Sequence, residues 1–233
     1  MIKAIETEYK GYRFRSRLEA RWAIFFEYLG IKFEYEPEGF ELTSGRYLPD
    51  FFIPDWEIWF EVKPNKHTEQ EELKAYELCE KSGYAVLISD GDPKFGMQGT
   101  AFCYALKDPG LFPDDSQGVF DGEDEADLYS KSMDILDICK YTVKPRKFRF
   151  AFSQARKYGR PIWLHFEQSQ EFLLYKNMEG NLFPYKYREP LCYSTFDAEW
   201  YAGNFYGEDT FDGRINRAIK AARGARFEFG EHG

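Results

Sequence analysis

Asp50, Glu61 and Lys63 lie within a strongly apolar stretch, RYLPDFFIPDWEIWFEVKP, at residues 46–64. Asp50 precedes one apolar run, and Glu61 and Lys63 end the next, with a Pro-Asp-Trp turn between the runs. Side chains along a strand alternate between its faces, so Glu61 and Lys63 project from the same face. A hairpin that turns at this tripeptide places Asp50 opposite residue 60 or 61. The spacing therefore predicts that the carboxylates of Asp50 and Glu61 meet.

Two carboxylates in a partly buried place repel each other, and a divalent cation removes that repulsion. A small set of hard oxygen ligands suits Mg²⁺ or Mn²⁺, with a substrate phosphate completing the coordination. Such a cation lowers the pKa of a bound water and stabilises charge on a phosphate under attack. Lys63 is then placed to orient that water or to neutralise the developing charge. The alternatives are that Asp50 and Glu61 are surface acids, and that Lys63 only pairs with Glu61 across an exposed face.

The flanking sequence predicts the elements that position these side chains. Residues 16–29 carry apolar side chains at helical spacing, with Ser16 as the N-cap and Gly30 as the stop. Three strands are predicted next: one in IKFEYEPEGFEL, which the Pro-Glu-Gly turn ends, and two more at RYLPDFFI and EIWFEVK. HTEQEELKAYELCEKSG predicts a second helix, and YAVLISDGD predicts a buried strand that follows this crossover helix. The order αβββαβ predicts an α/β fold with a mixed central sheet.

The motif and this element order resemble the PD-(D/E)XK nuclease superfamily, whose fold is called restriction-endonuclease-like. The match consists of Pro49 and Asp50, ten further residues, and then Glu61, Val62 and Lys63. RSRLEARWAIFFEYLGI is similar to the first helix of bacterial and phage members, which carry an acid at the position of Glu19. The resemblance covers about residues 10–92.

The resemblance implies an αβββαβ core and metal-dependent hydrolysis of phosphodiester bonds, most simply in DNA. It implies as catalytic residues Asp50, Glu61, Lys63 and Glu19, and as metal ligands Asp50, Glu61, Val62 and Glu19. The cofactor would be Mg²⁺ or Mn²⁺. Glu19 has an alternative role, because Ser16 and Glu19 form the S-x-x-E pattern of a capping box. Both roles are compatible only if the start of the helix faces the hairpin.

Several basic and polar residues are candidates for contacts with nucleic acid. A cluster of arginines lies around the first helix and would hold phosphates or pair with the nearby glutamates: Arg13, Arg15, Arg17 and Arg21. We select Arg17 and Arg21 among them. Gln70 and Lys74 follow the E-x-K strand, where several superfamily members place a polar or basic residue near the scissile phosphate; a solvated helix face is the alternative.

Basic residues near the start of the last third alternate with aromatic ones, as in a groove that binds nucleic acid. The basic candidates are Arg146, Lys147, Arg149 and Arg156, and the aromatic ones are Phe148, Phe150 and Tyr158. The alternative is a solvated helix face, since VKPRKFRFAFSQARKYGR is predicted to be partly helical. PIWLHFE and EFLLYKN predict a hairpin, and residues 213–225 predict a final helix.

The net charge of −9 is unevenly distributed. Residues 67–139 contain 5 basic and 17 acidic side chains, whereas residues 140–233 contain 16 and 11. An acidic protein binds DNA poorly without local basic surface. We therefore place a boundary near residue 140, between a nuclease-like core with an acidic loop region (1–139) and a smaller basic and aromatic α+β module (140–233) that binds nucleic acid or a partner.

The leading hypothesis is a Mg²⁺-dependent deoxyribonuclease, with RNA as another substrate to consider. The alternative is a nuclease-fold protein that binds a host defence or repair partner without cleavage, because the acidic segment 114–127 resembles a phosphate backbone in charge. The sequence is compatible with a homo-oligomer and with a protein partner.

Four dispersed cysteines without a C-x-x-C pair argue against a zinc site and for reduced thiols. Without a secretory signal or an apolar span, we expect a cytoplasmic protein with no membrane partner.

Overall fold

The computed structural model describes residues 5–107, 144–154, 162–167, 171–176, 179, 182–184 and 213–227. The strands are β1 Thr7–Tyr9, β2 Tyr12–Phe14, β3 Glu34–Tyr35, β4 Phe40–Leu42, β5 Gly45–Tyr47, β6 Phe51–Ile53, β7 Ile58–Lys63, β8 Ala85–Asp90, β9 Met97–Lys107, β10 Pro145–Gln154, β11 Ile162–Glu167, β12 Glu171–Lys176 and β13 Leu182–Pro184. The helices are α1 Arg17–Leu29, α2 Glu69–Ser82 and α3 Arg214–Gly224.

Nine of these strands form one sheet, in the order β11-β10-β9-β8-β7-β6-β3, with β12 paired to β9 and β13 paired to β12. Neighbouring strands are antiparallel except β7 and β8, which are parallel and connected through α2. A parallel pair needs such a crossover connection. The predicted α/β class with a mixed central sheet is therefore confirmed for the described residues.

The helix α1 begins and ends as its sequence predicts. The Ser16 side chain accepts a hydrogen bond from the first helical turn, and Gly30 ends the helix with a φ of 74°. This left-handed conformation favours glycine, which has no Cβ atom. The buried face of α1 carries Trp22 and Phe26, whose rings lie 4.8 Å and 5.1 Å from the ring of Phe60 in β7. Burial of these rings fixes α1 on one face of the sheet.

The helix α2 covers the opposite face of the sheet. Thr68 and Glu71 form a capping box, in which each side chain accepts a hydrogen bond from the amide of the other residue. This arrangement satisfies two amides that have no partner within the helix. Ala75 and Leu78 of α2 pack in one buried cluster with Trp59 of β7. The sheet therefore lies between two helical layers, and α3 packs beside α1 in the first of them.

Two of the three segments predicted as strands between the helices are divided in the structure, and the third forms β7. Only β3 of the segment IKFEYEPEGFEL joins the sheet, beside β6. Glu36 follows it with a positive φ of 46°, and the fixed ring of Pro37 comes next, so an extended strand cannot continue. The next residues pair with one another as a separate hairpin of β4 and β5. The predicted end of the first strand at the Pro-Glu-Gly turn agrees with this break, whereas the prediction of RYLPDFFI as one strand is wrong, because its residues are divided between β5 and β6.

The described part of residues 140–233 extends the same sheet. β10 pairs with β9, and β11 pairs with β10. Phe148 and Phe150 of β10 belong to the same buried cluster as Trp22 of α1. The predicted boundary near residue 140 therefore does not separate two cores in the described residues. The expected helical character is also wrong for Pro145–Gln154, which is a strand.

The predicted hairpin between PIWLHFE and EFLLYKN does not form, because β11 and β12 have different partners. β12 pairs with β13 and with the end of β9. β9 has 11 residues and β8 has 6, so β8 covers only part of one edge of β9. β12 continues along that edge, where the Lys176 amide donates to the Gly83 carbonyl over 2.8 Å. Pairing of this edge satisfies backbone groups that would otherwise need another partner.

None of the helices in the described ranges combines the length and the apolar character needed to cross a bilayer.

Candidate functional site

An open groove of about 820 Å³ lies at the end of β7, between the start of α1 and the hairpin of β4 and β5. It is lined by all four predicted catalytic residues, Glu19, Asp50, Glu61 and Lys63. The three carboxylate residues are buried, with exposed fractions of 7%, 3% and 3% in that order. Their burial argues against the alternative that Asp50 and Glu61 are surface acids.

The register of the β6–β7 hairpin brings the two central carboxylates together. Phe51 pairs with Phe60, so Asp50 lies opposite Glu61. The Asp50 amide donates to Glu61 Oε2 over 3.3 Å. The two residues are therefore in contact, through the amide of Asp50 and the carboxylate of Glu61.

Val62 contributes to the site through its backbone. Its amide donates to Asp50 Oδ2 over 2.8 Å, and its side chain is buried in the core. The amide and the carbonyl of one strand residue point toward the same neighbouring strand. The Val62 carbonyl therefore lies at the edge that faces Asp50, which is the position from which this residue can coordinate a cation.

Lys63 lies inside the groove together with its partners. Its ammonium group contacts Glu61 Oε1 and lies 3.6 Å from Glu71 in the first turn of α2. The Lys63 side chain is 19% exposed. The ion pair with Glu61 is therefore formed in a largely buried position, in contrast to the alternative of a pair on an exposed face.

Glu19 both takes part in the cap of α1 and lines the groove. The Ser16 hydroxyl donates to Glu19 Oε1 over 2.6 Å, and the Arg15 amide donates to Oε2 over 3.0 Å. In a capping box the glutamate would accept from the Ser16 amide instead. The Tyr35 hydroxyl also donates to Oε2, over 2.6 Å. The start of α1 faces the hairpin, so the two roles predicted for Glu19 are compatible.

Arg15 and Glu36 are site residues that the sequence did not select. The Arg15 guanidinium donates to Asp50 Oδ1 over 2.9 Å, and its Nε atom contacts the Glu36 carboxylate. Arg15 precedes the N-cap and belongs to the arginine cluster, which was the available signal. Glu36 itself has the left-handed conformation that ends β3, and this conformation directs the chain toward the site. The sequence pattern does not reveal it.

Tyr47 of β5 forms a further part of the groove wall that the sequence did not indicate. The Lys74 ammonium group lies 5.8 Å from the centre of the Tyr47 ring. Lys74 therefore lies next to a ring of the groove wall, although it does not line the groove itself. Gln70 is exposed on α2 and does not line the groove, whereas Glu71 does.

Burial and charge change the pKa values in the groove. Desolvation, followed by the negative charges of Glu61 and Glu19, raises the pKa of Asp50 well above 3.8, despite its ion pair with Arg15. Desolvation lowers the pKa of Lys63, but the charges of Glu61 and Asp50 outweigh this effect and raise the pKa overall. Burial thus favours the neutral form of Asp50, whereas the neighbouring carboxylates favour the charged form of Lys63.

The arginines of α1 differ in their relation to the groove. Arg21 pairs with Asp92, with its Nη1 atom 3.0 Å and 3.2 Å from the two carboxylate oxygens. Arg17 is partly buried. Neither residue lines the groove, so the structure does not bring them together with Asp50 and Glu61.

The basic candidates of β10 are exposed, but the phenylalanines between them are not. Phe148 and Phe150 are 3% and 0% exposed, because alternation along the strand turns them toward the core. Lys147 contacts Glu72 of α2. Base stacking needs accessible rings, so the interpretation as an aromatic groove is wrong for these two residues. Arg146 and Arg149 lie on the same strand; Arg156 lies outside the described residues.

Within the part of the chain that the structure describes, no group of three or more His, Cys, Asp or Glu side chains converges on one ion position. In the groove, Asp50 Oδ1 is paired with Arg15, and Glu61 Oε1 is paired with Lys63. The chemistry of these oxygens suits Mg²⁺, which prefers a few carboxylates together with water and phosphate. Desolvation and the charges of Glu61 and Glu19 raise the pKa of Asp50, so a positive charge bound beside it would favour its ionised form. These residues therefore fit a divalent cation once the two ion pairs open.

Comparison with known proteins identified no protein-family model, no curated protein and no solved structure that matches this chain. The functional interpretation therefore rests on the geometry and the charges of the groove itself.

Proposed function

We propose that this protein is a Mg²⁺-dependent nuclease of the PD-(D/E)XK type that hydrolyses phosphodiester bonds, most simply in DNA. The observation that carries the proposal is the convergence of Asp50, Glu61 and Lys63 at the end of β7, in a groove that also contains Glu19. Burial of adjacent carboxylates is unfavourable unless a cation compensates them. Perturbed ionisable groups of this kind in a cleft are typical of functional sites.

The order of the elements supports a restriction-endonuclease-like core. Along the chain, α1, β3, β6, β7, α2 and β8 follow the order αβββαβ, and the β4–β5 hairpin is inserted after β3. β6 and β7 are antiparallel, and β7 and β8 are parallel. This topology places the ends of β7 and β8 at one edge of the sheet, where the groove lies.

The residues of the groove have separate roles in this proposal. A divalent cation, when bound, supplies a water of lowered pKa and positive charge for the phosphate. Asp50 and Glu61 hold the cation, and the Val62 carbonyl lies at the same edge. Lys63 orients the attacking water or neutralises charge on the phosphate. Glu19, positioned by Ser16, supports the cation.

The direct test is cleavage of plasmid DNA, single-stranded DNA and RNA in the presence of Mg²⁺. We expect Lys63→Met to lower the cleavage rate by about 10²-fold or more, the range for loss of a group that assists proton transfer. Asp50→Asn and Glu61→Gln should lower it at least as far, because each removes a proposed ligand of the cation. Asp55→Asn is the matched control, because Asp55 is an exposed acid in the turn of the same hairpin. It should retain full activity. Folded variants that are all as active as the wild type, or a wild type as inert as the variants, would overturn the proposal.

The alternative is a nuclease-fold protein that binds a partner without cleavage. The acidic segment 114–127 that motivates it lies outside the described residues. Pull-down from a bacterial lysate distinguishes the two functions. A stoichiometric protein partner, together with no Mg²⁺-dependent cleavage of any of the three substrates, would favour the binding protein.

A further inference from the structure

Arg15 has an unusual position at the mouth of the groove. Its side chain is 53% exposed, whereas the side chain of its partner Asp50 is 5% exposed. The guanidinium therefore lies between a buried carboxylate and the solvent. Any phosphate that approaches Asp50 from the groove must pass close to this group.

The hydrogen bonds divide the oxygens of the two central carboxylates into two kinds. Asp50 Oδ2 and Glu61 Oε2 accept hydrogen bonds from backbone amides, which fix the orientation of the carboxylates. Asp50 Oδ1 and Glu61 Oε1 instead pair with the cationic groups of Arg15 and Lys63. Arg15 and Lys63 thus place two unit positive charges beside this second pair of oxygens, which is the same total charge as that of one divalent cation.

The charges of the groove oppose the binding of nucleic acid in this state. The basic residues in its lining are Arg15, Arg46 and Lys63, and the acidic ones are Glu19, Glu41, Asp50, Glu61 and Glu71. Phosphates are repelled by a surface with an excess of acidic groups. Binding therefore requires added positive charge or the release of cationic side chains from their internal partners, and an incoming divalent cation supplies both.

We propose that Arg15 is a resident counter-ion that yields Asp50 Oδ1 to a divalent cation and then binds a phosphate of the nucleic acid. This inference rests on the proposed nuclease function. The planar guanidinium pairs with phosphate in the same forked geometry as with carboxylate. Because the Arg15 side chain is about half exposed, water solvates its charge when the pair opens, and the incoming cation takes its place beside the buried Asp50 carboxylate. The exchange is therefore easily driven by a cation that two carboxylates bind.

The first measurement is Mn²⁺ affinity without nucleic acid, by calorimetric titration and by the Mn²⁺-dependent rise in Tm. Arg15→Gln removes the competing charge, so it should bind Mn²⁺ about two- to fivefold more tightly than the wild type. Arg46→Gln is the matched control, because Arg46 lines the same groove but pairs with Glu41, at 3.5 Å. It should leave Mn²⁺ affinity unchanged. An equal gain in Mn²⁺ affinity in both variants would show that the gain comes from the net charge of the groove, and it would overturn the proposed replacement of Arg15 by the cation at Asp50.

The second measurement is binding of a short DNA duplex with Ca²⁺ in place of Mg²⁺, over a range of salt concentrations. Loss of one phosphate contact should weaken binding by Arg15→Gln and lower the dependence of log affinity on log salt by about one. Arg15→Lys keeps the charge without the fork, so it should retain the salt dependence. Arg15→Lys is also the variant to measure if Arg15→Gln does not fold. DNA affinity and salt dependence that stay at wild-type values in Arg15→Gln would overturn the phosphate contact.

Asp50→Asn separates failure of this inference from failure of the proposed function. If Asp50→Asn does not weaken Mn²⁺ binding, the cation site itself is absent and both proposals fail. If it does weaken Mn²⁺ binding, while Arg15→Gln binds Mn²⁺ no more tightly than the wild type, only the exchange is overturned.

Discussion

At the scale of single residues, ionisation of Asp50 opposes folding. Desolvation and the charges of Glu61 and Glu19 raise its pKa well above 3.8. A carboxyl group with a higher pKa in the folded chain than in the unfolded chain lowers the free energy of unfolding as pH rises between the two values. We therefore expect Asp50→Asn to raise the free energy of unfolding at neutral pH without divalent cations, by roughly 0.5–2 kcal/mol.

Urea unfolding in the presence of EDTA, followed by tryptophan fluorescence, measures this difference. It should be absent below pH 3.8, where the carboxyl is protonated in both states, and complete above the folded-state pKa. Added Mn²⁺ should stabilise the wild type more than the variant, because a ligand stabilises the state that binds it. Asp55→Asn should show neither effect. An Asp50→Asn variant that is less stable than the wild type at every pH would contradict this account.

The residues of the site differ in how far the sequence predicts them. The meeting of Asp50 and Glu61 follows from a short hairpin, whose register depends on local turn geometry and strand alternation. The contact between Arg15 and Glu36 depends on a positive φ at Glu36, and no pattern of apolar residues encodes that conformation. The sequence therefore predicts the two carboxylates but not the position of the Arg15 guanidinium, which pairs with Asp50.

At the scale of elements, the N-terminus of α1 links stability to the site. Ser16 caps the helix and its hydroxyl donates to Glu19. Ser16→Ala should lower the free energy of unfolding by about 1 kcal/mol, the usual effect of losing a cap. It should also weaken Mn²⁺ binding, since Glu19 loses the donor that positions it. Ser16→Asn retains a capping acceptor and a donor, so it should remain near the wild type in both measurements.

Chemical unfolding and calorimetric Mn²⁺ titration of these two variants distinguish the roles of Glu19. If Ser16→Ala loses stability and keeps wild-type Mn²⁺ affinity, Glu19 acts in the cap and not at the cation.

The helices are the elements that the sequence predicts best, because caps and apolar spacing are local signals. The strands before the hairpin are predicted less well, because the apolar pattern of RYLPDFFI does not reveal that it contains parts of two strands, β5 and β6, with different partners.

At the scale of the whole molecule, nine of the thirteen strands in the described residues form one sheet with helical layers on both faces. The sequence predicts a separate C-terminal module from the change in charge near residue 140, but charge is a property of the surface. Pairing of β9 with β10 and β12 joins residues far apart in the chain, and local patterns do not specify such partners. The buried phenylalanines of β10 instead identify this segment as core.

Substitution of one of these phenylalanines tests the single core. Phe150 is 0% exposed, and its ring lies 6.1 Å from that of Phe60 in β7. Phe150→Ala should lower the free energy of unfolding by about 3–5 kcal/mol, whereas Arg149→Ala, at an exposed position on the same strand, should change it by less than about 0.5 kcal/mol. Unfolding curves from tryptophan fluorescence and far-ultraviolet circular dichroism should coincide in both variants, since β7 and β10 unfold together. Two separate transitions, with Phe150→Ala shifting only one of them, would instead indicate two independently folded units.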